Sequence, residues 1–261
     1  MARTLDLSIV IPAYNEESRL GPTVRDIVTY CRSGGRPFEV IIVDDGSRDD
    51  TSGVGRRLTE EFPELKLIRL AANHGKGYAV RTGVVNSLGR LVLFADADGA
   101  TPIAEIERLE SALSAGADVA VGSRALRAEG VLVRARIYRH LIGRTFHMLV
   151  EWLANCGVKD TQCGFKLFRA AAAHDLFSRM RMNGFSFDVE VLLMAKRRGY
   201  RVAEVPVNWV HQPGSKVRLT RDSLIMATDL VRIRSLYLSG EYETPHLTPW
   251  GHRFEAEQKV P

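Results

Sequence analysis

Cysteine is scarce in this chain of 261 residues, which has three in all, Cys31, Cys156 and Cys163. They are too few and too scattered for a disulfide framework and none has zinc-site spacing, so a reducing compartment is expected. Long apolar runs are missing as well. No stretch reaches about 18 uninterrupted apolar residues, so no membrane-crossing helix or membrane anchor is expected. The first strand pattern starts by Leu7, so neither a signal peptide nor a transit peptide is expected. These absences describe a soluble or peripheral protein. Acidic residues are absent between Glu129 and Glu151, whereas Arg134, Arg136, Arg139 and Arg144 lie in that interval. There is no internal repeat.

The remainder of the composition is that of a globular domain. Apolar residues make up 45% and charged residues 26%, enough for one large domain with a full core. A net charge of +5 favours an anionic partner such as nucleic acid, a phosphate-bearing substrate or an acidic membrane surface.

Short apolar runs at 7–11, 39–43, 65–70, 91–95 and 117–121 alternate with amphipathic segments near 17–32, 51–62, 76–88 and 103–115. That alternation predicts successive βαβ units, hence an α/β fold with a mainly parallel sheet and helices on both faces. Beyond residue 124 the pattern predicts a long amphipathic helix over 131–155 and helices at 169–180 and 187–198. A strand near 202–207 and a basic helix around 221–238 follow, and 240–261 reads as a loosely held tail.

Ligands of such sheets sit beyond the carboxyl ends of the strands, and the polar clusters fall there. The first run leads into Pro12-Ala13-Tyr14-Asn15-Glu16, the second into Asp44-Asp45-Gly46-Ser47, and the third into Asn73-His74-Gly75-Lys76-Gly77. The fourth ends in Asp96-Ala97-Asp98 and the fifth in Gly122-Ser123-Arg124. In an extended strand end, residues two apart share a side, so Asp96 and Asp98 can offer carboxylates to one ion. Asp-x-Asp alone is a weak signal, because solvated turns carry it; its place at a strand's carboxyl end is what strengthens it. Two carboxylates fill part of the shell of Mg²⁺ or Mn²⁺, and such ions often complete it with waters and substrate phosphates. Gly75-Lys76-Gly77 opens a helix whose N–H groups and lysine can meet an anion, or its glycines can simply permit the turn. Arg124 can grip a phosphate in a fork.

The series IVIPAYNEE, VDDGS, NHGKGYAVRTG, DADGAT and VGSR resembles the family-two inverting glycosyltransferases of GT-A fold. Later segments, Lys159-Asp160-Thr161-Gln162-Cys163-Gly164-Phe165-Lys166-Leu167-Phe168, Phe187-Asp188-Val189-Glu190, Val207-Asn208-Trp209 and Gly214-Ser215-Lys216, are similar to the dolichyl-phosphate β-glucosyltransferase branch. The resemblance runs from about Leu7 to Gly240. It implies one GT-A domain over 1–239, with a nucleotide-sugar half (1–124) and an acceptor half (125–239) that carries C-terminal amphipathic helices.

The implied reaction is inverting transfer of glucose from UDP-glucose to a polyprenyl (dolichyl-type) phosphate. Tyr14 can stack on uracil and Asp44 can accept its imide N–H, with Pro12, Ala13, Glu16, Lys76 and Ala97 around the nucleotide. The resemblance assigns Asp98 to the metal, Mg²⁺ or Mn²⁺, and Asp96 to the ribose or the metal's outer contacts. Arg124, Arg139 (with Arg136 as its alternative), Ser215 and Lys216 would take phosphate. Asp188 stands where many relatives keep a general base. A phosphomonoester has a second pKa of about 6 and is already nucleophilic at neutral pH, so Asp188 reads as a positioning group or sugar ligand, with Glu190 behind it. Related mannosyltransferases often place a further ligand two residues past the second Asp, where this chain has Ala100, and that favours glucose over mannose.

The implied partners are the nucleotide sugar, the lipid phosphate and the cytoplasmic face of a membrane, with packing on the domain or a homodimer contact as the alternative uses of the apolar helix faces, and no nucleic acid. The rival readings are a mannosyl or other UDP-sugar transferase, a non-catalytic nucleotide-sugar-binding domain, and a nucleotidyltransferase. The missing Gly-rich triphosphate loop near the amino terminus argues against the last.

Overall fold

The computed structural model describes residues 5–128, 130–134, 157–212 and 219–243. Its elements are β1 (Leu7–Ala13), α1 (Leu20–Ser33), β2 (Phe38–Asp44), α2 (Thr51–Glu61), β3 (Leu65–Arg69), α3 (Lys76–Val85) and β4 (Leu91–Ala95). A 3-10 turn (Ile103–Glu105) then leads into α4 (Ile106–Ser114), β5 (Val119–Ser123) and β6 (Val133–Arg134). Next come β7 (Phe165–Arg169), α5 (Ala170–Arg179), α6 (Phe187–Arg197), β8 (Val202–Pro206), β9 (Trp209–Val210) and α7 (Leu219–Leu238).

The main sheet has seven strands in the order β3-β2-β1-β4-β7-β5-β8. Side-chain alternation along each buried strand divides the core between its two faces. Val10, Val92 and Phe94 point to a layer formed with Val80, Leu176 and Leu192 of α3, α5 and α6. Ile9, Ile11 and Leu93 point to the other layer, with Leu20, Val24 and Leu109 of α1 and α4. These side chains are almost fully buried, and each such residue is worth roughly 1.5–3 kcal/mol of transfer free energy. Apolar residues at helical spacing fix α1, which ends at Gly34-Gly35, where Gly35 takes φ +65°, a conformation that favours glycine.

One strand departs from the parallel pattern. β7 runs antiparallel between β4 and β5, pairing Ala95 with Phe165, Phe94 with Lys166 and Val121 with Lys166. An antiparallel strand begins where its parallel neighbours end. Residues 160–165 are thereby delivered to the carboxyl edge of the sheet.

The helix expected over 131–155 is corrected at its start, because Val133–Arg134 pairs in parallel with Trp209–Val210. Residues 135–156 lie outside the described residues. The expected tail also begins later than 240: Tyr242 is buried and its hydroxyl donates to Glu190 at 2.7 Å. The other expected elements agree with the structure to within a few residues at their ends.

Candidate active site

The carboxyl ends of β2, β1 and β4 lie side by side, with Ala13 opposite Asp44. Beyond β1 the chain turns at Asn15, which has φ 55°, a left-handed conformation that Asn tolerates better than most residues. The Asn15 amide donates to Ser47 Oγ at 2.9 Å and its side-chain oxygen accepts from Arg48 N at 2.8 Å. The first two strand-end loops are thus tied together. Asp44 is fully buried; Oδ1 accepts from Ser47 N at 2.9 Å and Oδ2 from the Ser52 hydroxyl. One contact per oxygen leaves acceptor capacity on both. Glu16 is held by Arg19, whose Nε donates at 2.6 Å, while the Glu16 amide donates to Thr51 Oγ1 at 2.7 Å. Tyr14 is half-buried beside these groups, and Pro12 and Ala13 are buried at the strand end.

Asp45 faces away from Asp44 and organises the third loop. Its carboxylate accepts from Asn73 Nδ2 at 2.9 Å, His74 N at 2.8 Å and Gly75 N at 2.8 Å. The glycines of Gly75-Lys76-Gly77 have a packing role. A Cβ on Gly75 would lie 2.5 Å from Asn183 O, and one on Gly77 would lie 2.6 Å from Met182 O. Only glycine lets the start of α3 approach the 182–184 segment this closely, and the approach fixes where Lys76 leaves the helix.

Lys76 reaches the fourth loop. Its Nζ stands 2.7 Å from Asp96 Oδ1 and 5.2 Å from the centre of the Phe94 ring, whose negative face attracts a cation. Burial opposes the charge on Lys76, but Asp96, Asp188 and Asp98 together outweigh it and hold its pKa above the ordinary lysine value. Asp98 has its pKa raised, chiefly by burial and next by the Asp96 charge. Its Oδ1 accepts from Ala100 N at 3.0 Å, across Gly99 at φ +64°. The Ala97 carbonyl accepts from Thr23 Oγ1 at 3.1 Å, and the Ala100 carbonyl accepts from Val210 N at 2.9 Å. Strand β9 therefore clasps the Asp-x-Asp loop from outside.

The loop before β7 supplies the floor. The Asp96 amide donates to Gly164 O at 3.0 Å, and a Cβ on Gly164 would lie 1.9 Å from Asp96 Oδ2. Two residues on, Lys166 is almost wholly buried. It donates to Cys163 O at 2.6 Å and to the Asp188 carboxylate, and it lies 5.7 Å from the centre of the same Phe94 ring. Asp188 is equally buried; that burial raises its pKa, against the opposing pull of Lys166 and Lys76. It stands inside the protein as a lysine partner, not at an open surface.

Arg124 already holds an anion of the chain's own. Its Nε and Nη2 each donate at 2.7 Å to the two oxygens of Asp160, and its amide donates to Asp160 Oδ2 at 2.8 Å. Its guanidinium lies 5.5 Å from the centre of the Trp209 ring. Burial disfavours its charge, but Asp160 overcomes this and raises its pKa further. The Asp160 amide in turn donates to Glu204 Oε1 at 2.9 Å. The fork expected for a phosphate is thus oriented by Asp160.

Arg124, Asp188, Lys76, Asp96 and Asp98 come together, since the electrostatic partners of Lys76 include Asp188, Asp96 and Asp98, and those of Arg124 include Asp96. Arg136, Arg139, Gly214, Ser215 and Lys216 lie outside the described residues. Sequence reasoning assigned no mechanism to Gly164 or Lys166 and did not single out Asp160 or Glu204. The Asp-Thr-Gln-Cys-Gly-Phe-Lys series marked their place, but their contacts are made across the sheet. Asn208, from the Val-Asn-Trp series, donates its Nδ2 to Glu105 Oε1 at 2.6 Å and accepts from Leu132 N at 2.7 Å, joining β9 to the helix after the Asp-x-Asp loop.

The sequence model described as glycosyl transferase family 2 matches residues 8–177, and the chain belongs to that family. Among curated proteins it is 39% identical over 255 residues to the dolichyl-phosphate beta-glucosyltransferase of Saccharomyces cerevisiae, covering 90% of this chain and 76% of that one. It is 38% identical over 252 residues to the Homo sapiens protein of the same name, covering 92% and 78%. Two solved structures share the fold. The glucosyl-3-phosphoglycerate synthase of Mycobacterium tuberculosis, in complex with Mn²⁺, uridine diphosphate and glucosyl-3-phosphoglycerate, has a TM-score of 0.63 at 18% identity, covering 92% and 81%. The mannosyl-3-phosphoglycerate synthase of Rubrobacter xylanophilus has a TM-score of 0.64 at 19% identity, covering 95% and 79%. The fold is GT-A, with the mainly parallel sheet that the strand pattern implied.

Proposed function

We propose that this glycosyltransferase moves glucose from UDP-glucose to the phosphate of a polyprenyl, dolichyl-type carrier, with inversion at the anomeric carbon. The observation that carries the donor half is the cluster of Asp96, Asp98 and Lys76 at the end of β4. Glucose and a dolichyl-type acceptor are what the relatives' names supply.

The residues present fit a divalent cation. Asp96 and Asp98 are hard oxygen donors that repel each other, and Lys76 offsets only one charge. Among the described residues no group of three His, Cys, Asp or Glu side chains gathers into a metal cluster, so waters and substrate phosphates are the natural source of further ligands. Bound there, Mg²⁺ or Mn²⁺ would neutralise charge on the departing diphosphate. The chain's own residues then have distinct work. Tyr14 and Asp44, with Pro12, Ala13, Glu16 and Ala97, frame the uridine, and Lys76 meets the diphosphate. Arg124, oriented by Asp160, directs what donor capacity it retains toward the acceptor phosphate, with Arg139, Ser215 and Lys216 assigned there by resemblance. The phosphate oxygen is its own nucleophile, which suits the burial of Asp188 in an ion pair. Positioning and charge stabilisation then account for catalysis.

The acceptor half has a place to meet lipid. Helix α7 buries Met226, Leu230 and Ile233, while Ile225, Val231 and Leu238 are exposed together with Arg232 and Arg234. Val231 and Leu238, seven residues apart, share one outward face with Arg232 and Arg234 on either side of it, a pattern that suits a shallow seat on an anionic membrane, here on its cytoplasmic face. No helix among the described residues is long and apolar enough to cross one.

The test of the donor assignment is a calorimetric panel in the presence of Mn²⁺. UDP-glucose is expected to bind most tightly, with UDP near it and GDP-mannose at least about tenfold weaker, a difference of about 1.4 kcal/mol. Preference for GDP-mannose would overturn the assignment of both base and sugar.

A further inference from the structure

We propose that the Lys76 ammonium is a resident counter-cation of the Asp96 and Asp98 carboxylates that a divalent cation displaces, and that the released ammonium is then taken by the donor diphosphate. The inference rests on the metal-diphosphate reading above and adds an order of events to it.

Three observations carry it. First, the 2.7 Å ion pair puts Lys76 on Asp96 Oδ1, an oxygen that a metal at the Asp-x-Asp pair would compete for. Second, the base of the carboxylate is fixed: the Asp96 amide donates to Gly164 O at 3.0 Å, and Oδ2 packs on Gly164, where a Cβ would lie 1.9 Å away. A metal that takes Oδ1 therefore competes with the lysine for it. Third, the lysine can move. The start of α3 is locked against 182–184 by Gly75 and Gly77, but the Lys76 side chain is 23% exposed and ends in a flexible ammonium. Asp188 is held by Lys166 and remains within electrostatic reach of Lys76, so the displaced ammonium stays in the cleft.

The consequence is a coupling between two ligands. Metal alone must break the Lys76–Asp96 pair without compensation. A diphosphate offers the ammonium a new partner, so each ligand assists the other.

The experiment is Mn²⁺ binding to the full chain, followed by electron paramagnetic resonance without any donor and then with UDP. Lys76→Met is expected to bind Mn²⁺ alone about fivefold or more tightly than the wild type, and to gain less from UDP, since a coupling of this kind is at least about fivefold. Lys76→Arg, which keeps the charge, is expected to resemble the wild type. Equal or weaker binding of Mn²⁺ alone by a folded Lys76→Met overturns the proposal. Amine-reactive labelling of Lys76 in the wild type gives a reading that no variant's folding can disturb. Mn²⁺ alone should raise the labelling and Mn²⁺ with UDP should lower it, whereas labelling unchanged by Mn²⁺ overturns the proposal. Absence of any Mn²⁺ binding, even with saturating UDP, would remove the metal reading itself. Tight binding with UDP and no effect of Lys76→Met would remove only this inference.

Discussion

At the scale of single residues the site is a row of charges: the two carboxylates of Asp98 and Asp96, then Lys76, then Asp188 and Lys166. The two ammonium groups flank one aromatic ring, that of Phe94. Buried charges are stable when paired: Lys76 lies beside Asp96 and Lys166 beside Asp188, while Asp98 adjoins the like charge of Asp96 and accepts from the Ala100 amide. Gly164 is the least conspicuous part of the arrangement and among the most constrained. Gly164→Ala would press a methyl group onto the Asp96 carboxylate, the mobile end of a short side chain, which can rotate at little cost to the fold. The expected outcome is a melting temperature close to wild type and a loss of about tenfold to a hundredfold in kcat/KM, about 1.4–2.7 kcal/mol of transition-state stabilisation. Unchanged kcat/KM, measured by glucosyl transfer, would show that Gly164 serves only the backbone. The strand ends made Asp96, Asp98, Asp44 and Arg124 legible in the sequence. What each one touches was not, because Asp160 lies 36 residues from Arg124 and β7 brings Gly164 to Asp96 from another part of the chain.

Among the strands of the main sheet, β7 is the one that the sequence pattern concealed. Phe165–Arg169 is five residues long, is preceded by polar residues that read as a loop, and carries a lysine at a buried position. Alternation therefore gave no signal, and only the pairing with β4 and β5 explains why Lys166 sits there. The parallel strands and their helices were legible because their apolar periods are regular. Helix α6 shows how an element can hold a loop. Its Glu190 accepts from Arg181 N and Met182 N, each at 2.9 Å, and from Tyr242 OH at 2.7 Å, fixing the segment on which Gly75 and Gly77 rest. Burial pushes the Glu190 pKa from 4.5 up to about 7, against the opposing pull of its hydrogen bonds. The native state thus keeps this proton where the unfolded chain has lost it. The group's contribution to stability is complete below the unfolded value and falls as pH rises toward 7, by at most about 1.4 kcal/mol per pH unit. Glu190→Gln cannot titrate and replaces an acceptor with a donor facing backbone N–H groups. It should be less stable than wild type at pH 5, with the difference narrowing by pH 8 in urea unfolding. A difference that stays constant or widens would contradict the assignment.

For the whole molecule, the sheet gathers the proposed donor-binding groups at one edge, and the second half of the chain folds back over that edge through β7 and β9. Helix α7 leaves Ile225, Val231 and Leu238 outward. In a flotation experiment the full chain should rise with vesicles containing anionic lipid and stay behind with neutral ones. Val231→Ser combined with Leu238→Ser should reduce the floating fraction severalfold, because each buried side chain contributes roughly 1.5–3 kcal/mol. Equal flotation of variant and wild type would place the contact elsewhere. The central claim concerns chemistry, and one measurement addresses it most directly: incubation of the full chain with radiolabelled UDP-glucose, Mn²⁺ and a polyprenyl phosphate, followed by organic extraction. The expected result is an acid-labile β-glucosyl lipid phosphate that forms with release of UDP and is lost with chelator or with Asp98→Ala. Transfer to a water-soluble acceptor with none to the lipid, or full lipid transfer in chelator, would contradict the account.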